Sequence, residues 1–174
     1  MKLTKKITLS AMAIAISVAM LSVGALVEVL DMAVASLMSL LVVFVFIEIG
    51  SPFVWFVWLG TSIITCLIPN GLLVGVEYFA VFGIYPILKA YFEKAPRPIR
   101  WPIKIVYINI FIGAALILSE IVSFISFFDI GAWYFKLALA AGLNLVFVLY
   151  DVYLTRMIRF YYSVIRKRIL KFLK

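Results

Sequence analysis

The sequence predicts an all-α membrane protein, a bundle of six transmembrane helices with both ends on the cytoplasmic side and an amphipathic helix at its C-terminus. Three observations predict it. The chain has 174 residues, 67% of them hydrophobic, and a mean hydropathy of +1.21. Soluble domains run at about 45–50% apolar residues, and a chain this small cannot hide such an excess from water. The apolar residues fall into runs of the length that a bilayer core requires, about 17–25 residues per helix. The Lys and Arg residues cluster at alternate ends of those runs, as cytoplasmic loops do.

The expected spans are 7–27, 32–49, 53–68, 72–92, 103–127 and 132–154. Glu28 and Asp31 mark the first turn. Gly50, Ser51 and Pro52 break the second run, because Gly is flexible and Pro lacks a donor. Pro69, Asn70 and Gly71 form the next turn. Pro86 lies inside the fourth span and frees the carbonyl of Phe82 one turn back, a kink that neighbouring helices can absorb. The most polar connection, 93–100, leads to the fifth span, and Asp129 and Gly131 turn the chain into the sixth. From Arg156 to Lys174, basic residues recur at helical spacing opposite Ile158, Tyr161, Ile165, Ile169 and Phe172. That pattern fits a helix lying on the membrane surface, and equally a continuation of the sixth helix into water. The basic N-terminus followed by an apolar run has no clear small-residue cleavage site and reads as a first span rather than a secretory signal.

Six spans place 2–6, 89–104 and 156–174 on one side, and all but Lys136 of the 16 basic residues fall there. That side is cytoplasmic by the positive-inside rule. The net charge of +8 therefore serves topology and anionic lipid rather than nucleic acid. Trp55, Trp58, Trp101, Trp133, Tyr150 and Tyr162 fall near span ends, as an aromatic belt does.

Enzymatic chemistry is not expected. The chain has no His and one Cys, Cys66, so Ser–His and Cys–His catalysis, His-based metal sites and internal disulfides drop out, and no cofactor motif is present. A stand-alone channel or carrier is disfavoured by the lack of a polar path through the inner half and of an inverted repeat.

Charges within spans are functional candidates by default. Glu77, Glu120 and Lys136 each lie four or five residues from the outer end of their spans, about 6–10 Å deep at 1.5 Å per residue. They fit a shared polar site open to the outside, with Tyr78 adding a hydroxyl and ring and Asn144 lying deeper. They also fit a Glu–Lys pair with the second Glu reaching the interface. Two carboxylates and one ammonium, with Glu28, Asp31 and Asp129 at the rim, favour a cationic or zwitterionic small molecule. Glu48, Asn109 and Asp151 at the inner end read as helix-pairing residues.

The first helix carries Ala11, Ala15 and Ala19 at spacing four, with Ser10, Ala13 and Ser17 widening the strip. Small residues on one face let another helix approach closely, inside the bundle or from a partner. A six-helix, all-membrane chain of this length, with a basic N-terminus and an Ala-x-x-x-Ala first helix, resembles the S components of energy-coupling factor (ECF) transporters. The resemblance implies capture of a vitamin or similar micronutrient from outside. It implies docking of Ala11, Ala15 and Ala19 on a transmembrane T component driven by two ATPases, and a solute pocket in the outer half. In size and topology the chain is also similar to the MreD scaffold of the rod-shape machinery, which organises partners and binds no solute.

Overall fold

The computed structural model describes residues 2–27, 30–121 and 133–166, and every regular element among them is helical. In order these are α1 (Leu3–Leu26), α2 (Asp31–Glu48), α3 (Ser51–Leu67), α4 (Leu72–Glu77), a π turn (Tyr78–Phe82), α5 (Tyr85–Phe92), α6 (Arg97–Ile121), α7 (Trp133–Phe160) and a second π turn (Tyr161–Ile165). The stretch Leu72–Phe92 forms one apolar span. Among the described residues four helices are long and apolar enough to cross a membrane, Leu3–Leu26, Asp31–Glu48, Leu72–Phe92 and Leu137–Val164, while Ser51–Leu67 is apolar but shorter. Outward-facing residues are themselves apolar, among them Ile7, Ile16, Phe56, Ile63, Leu72, Ile110 and Leu149. Water does not tolerate such a surface, and lipid does; the chain is membrane-embedded.

The helix boundaries follow local chemistry. Gly50 ends α2 at φ 106, a conformation L side chains rarely adopt, and Pro52 sits in the first turn of α3, where no backbone donor is required. Asn70 turns the chain with φ 60. Two boundaries differ most from expectation. The helix expected from 103 starts at Arg97, because Pro98 falls in its first turn and Pro102 removes only a bond to the carbonyl of Pro98. The last helix does not stop at Leu154. Residues 156–166 continue it without a break, and the rest of the expected surface helix, 167–174, lies outside the described residues.

The chain divides into two compact units, Met1–Tyr91 and Phe92–Lys174. In the first, α1 packs on α2 and α3, and α3 packs on α4. Lipid supplies no hydrophobic drive between helices, so close packing through small residues does the work. A Cβ on Gly60 would lie 3.1 Å from Ile14 Cδ1, and one on Gly75 would meet the backbone N of Cys66 at 2.9 Å. Val42, Val45, Val54, Val57, Leu21 and Ile87 are fully or almost fully buried there. At one end Lys6 donates to the Ile49 carbonyl at 3.3 Å, capping α2, and lies over the Phe53 ring. The N-terminus of α1 and the α2–α3 turn therefore share one end of this unit.

In the second unit α6 and α7 pair. Polar contacts join them. Lys104 Nζ donates to both Asp151 oxygens at 2.9 and 3.0 Å, and Asn109 and Asn144 exchange side-chain amide bonds at 3.1 Å each. Tyr107 fills the space between, its ring centroid 4.9 Å from Phe111 and 6.4 Å from Phe147.

Candidate functional site

The fourth apolar span holds the most irregular backbone in the first unit. The amide of Gly83 bonds the Tyr78 carbonyl, five residues back, at 2.6 Å instead of Phe79, four back. The wide turn releases the Phe79 carbonyl, and Trp58 Nε1 on α3 donates to it at 3.0 Å. The indole also stacks on the Phe79 ring, with centroids 4.8 Å apart at 20°. Pro86, without an amide hydrogen, follows in the first turn of α5. Gly83 is required at this crossing, since a Cβ would lie 2.7 Å from both Trp58 Cδ1 and Tyr78 Cε1. Trp58 is 8% exposed. It is an interior residue that repairs a broken helix, not a belt residue. Wide turns of this kind recur at functional sites.

This irregularity directs Tyr78 and Glu77. Tyr78 is fully buried, and its hydroxyl has no hydrogen-bond partner among the described residues. Ser17 on α1 and Thr61 on α3 lie near enough to influence that hydroxyl electrostatically, but no aligned bond closes between them. Ser17, Thr61 and Thr65 are themselves fully buried and unpartnered. Elsewhere the hydroxyls of Thr8, Ser22, Ser39, Ser62 and Thr155 bond carbonyls of their own helices, the usual solution in an apolar helix. The interior group does not adopt it.

Glu77, one residue earlier, is half-buried, and its Oε2 is buried without a hydrogen-bond partner. Its electrostatic neighbour is Asp31 at the start of α2, a like charge. A carboxylate in an apolar span with an unsatisfied oxygen and an acidic neighbour is a costly arrangement. It suits a positively charged or donor-rich group arriving from outside the chain.

The other expected site residues lie in the second unit. Asn144 is described, and its amide is engaged with Asn109 and with the Ala140 carbonyl at 2.9 Å. Glu120 and Lys136 fall on α6 and α7, but their side chains lie outside the described residues, as do Glu28 and Asp129. Asp151 accepts from Lys104 on α6.

On α1 the strip resolves into two faces. Ser10, Ala13, Ser17, Leu21 and Gly24 are buried within the first unit. Ala11, Ala15 and Ala19 are exposed, flanked by exposed Ile7, Met12, Ile16 and Met20. Among the described residues no group of His, Cys, Asp and Glu is arranged to hold a metal ion.

Ser17, Thr61 and Thr65 escaped the sequence reading as polar-site residues. Hydroxyls are common in membrane helices and ordinarily bond their own backbone, so composition alone does not single them out. The break at Gly83 and Pro86 was the available signal.

Comparisons with protein-family models, with curated proteins and with solved structures find no match.

Proposed function

We propose that this chain is the solute-capturing membrane subunit of an ATP-driven importer of the ECF type, crossing the bilayer six times with both termini cytoplasmic. The observation that carries the reading is Glu77, a carboxylate set into an apolar span whose buried Oε2 has no hydrogen-bond partner among the described residues and whose electrostatic neighbour Asp31 is a like charge. A group this costly to fold is retained for an external partner, and a cationic or zwitterionic solute supplies the missing donor. Glu77 is the contact of that solute in the first unit.

Two features support the topology. Lys6 and the α2–α3 turn share one end of the first unit, which agrees with a cytoplasmic N-terminus and an inward second turn. A six-span arrangement would put all the basic residues but Lys136 on that side. Ala11, Ala15 and Ala19 are exposed and small, which suits docking on a T component. The chain has no phosphate-binding loop, so ATP-driven transport draws its energy from separate ATPase subunits.

One observation favours a second reading, an MreD-like scaffold without a solute. Asn144 is spent on Asn109, and Lys104 on Asp151, so these polar groups of α6 and α7 serve helix pairing. Native mass spectrometry of protein purified in mild detergent from its own host separates the two. The importer reading expects a stoichiometric small molecule, with a T component and ATPases co-purifying. An empty protein associated with cell-wall or other membrane proteins contradicts it.

A further inference from the structure

We infer that the first unit contains an internal water-binding site, built by the hydroxyls of Tyr78, Ser17 and Thr61, with Thr65 one turn further along α3. The inference does not depend on the transport reading.

Four hydroxyl groups from three elements, α1, α3 and the π turn, are 0% exposed and lack a hydrogen-bond partner among the described residues. Ser and Thr in helices can always satisfy themselves on a carbonyl of the preceding turn, and Ser22 and Ser62 do so at 2.7 and 2.8 Å. Ser17, Thr61 and Thr65 forgo this bond. Tyr78 has no such option, because its ring carries the hydroxyl far from its own backbone. The hydroxyls of Ser17 and Thr61 thus approach that of Tyr78, yet among the described residues none of the three has a partner at hydrogen-bonding geometry. Each can donate once and accept twice, so a small molecule that both donates and accepts satisfies them together.

The ligand's character follows from the lining. None of the four groups is charged, so an ion would arrive without a counter-charge. The surroundings are apolar and closely packed, with Ala13, Leu21, Val57, Trp58 and Val74 in the same core, and the hydroxyls have no exposure to the surface. A vitamin-sized solute has no route in. Water fits, since buried waters characteristically bridge two to four otherwise unsatisfied polar groups. Water, rather than a direct side-chain bond, then joins α1 to α3 and the π turn at this depth.

A crystal structure of the full chain in lipid, at a resolution that reveals ordered solvent, tests this directly. The expected result is density within hydrogen-bonding distance of Tyr78 Oη and of Ser17 Oγ or Thr61 Oγ1. Direct bonds among the three hydroxyls, or to their own helix carbonyls, with no density between them, overturn it. Infrared difference spectra between ordinary water and water labelled with oxygen-18 provide a second readout. The internal O–H stretch that shifts with the label should disappear in Thr61→Val and in Tyr78→Phe, and persist in Ser62→Ala, whose hydroxyl is already bonded to Trp58. Thr61→Val keeps the side-chain shape, so the test survives if Tyr78→Phe does not fold. A label-sensitive spectrum identical in wild type and Thr61→Val also overturns the inference.

Discussion

Removing either member of the Lys104–Asp151 pair should unfold the second unit far more readily than removing both. Lys104 is 5% exposed and Asp151 3%, and the ammonium donates to both carboxylate oxygens. Glu93 stands further off, at 3.8 Å, and the Trp101 ring centroid lies 5.2 Å from the ammonium. A buried pair broken on one side leaves an uncompensated charge and costs about 3–5 kcal/mol. That is on the order of a hundred- to several-thousandfold in the folded-to-unfolded ratio, at about 1.4 kcal/mol per tenfold. Asp151→Asn should fall toward the lower end, because Glu93 remains within reach of Lys104. The double variant Lys104→Met with Asp151→Leu replaces the pair by apolar groups of similar size. It should be neutral or more stable than wild type by about 1–4 kcal/mol. The assay is reversible unfolding in mixed micelles, followed by far-UV circular dichroism across the four proteins of the cycle. If each single variant costs under about 1 kcal/mol, as exposed ion pairs do, the pair is solvated and the packing of α6 on α7 described above is wrong.

Other perturbations probe the remaining contacts. Trp58→Phe keeps the ring stack but leaves the Phe79 carbonyl unsatisfied, and should cost about 1–3 kcal/mol by the same unfolding assay. Gly83→Ala forces a methyl against Trp58 and Tyr78, and should cost about 1–3 kcal/mol, with a change in Trp fluorescence as the indole shifts. Asn109→Leu or Asn144→Leu should each cost only about 0.6 kcal/mol, the average for polar contacts between membrane helices, measured as a shift in the unfolding midpoint. In a Cys66→Ala background, a membrane-impermeant thiol reagent added outside intact cells should label Asn70→Cys and leave Ser51→Cys unlabelled. The reverse pattern contradicts the cytoplasmic N-terminus.

The helical architecture was largely legible because membrane spans are written in composition. Gly50–Pro52 and Pro69–Gly71 punctuate it where the backbone needs a positive φ or can do without a donor. The start of α6 was less legible, because Pro98 and Pro102, close behind Pro96, look like a loop until their places in the first turns of a helix are known. Glu77 stood out, since a charge in an apolar run is conspicuous. The hydroxyl group around Tyr78 did not, because Ser17 and Thr61 meet it only once α1 and α3 are packed. The same holds for Lys104 and Asp151, 47 residues apart in the chain, whose pairing depends on the register of two helices. The π turn was half-announced by Gly83 and Pro86, but nothing in the sequence says that Trp58, 21 residues before Phe79, takes the freed carbonyl.

The most direct test of the central claim compares wild type with Glu77→Gln, each purified in mild detergent from its own host and weighed intact by native mass spectrometry. Wild type should carry one small cationic or zwitterionic molecule per chain, and Glu77→Gln should carry little or none while remaining folded. Two equally empty proteins, or two carrying the same molecule in the same amount, would contradict the account.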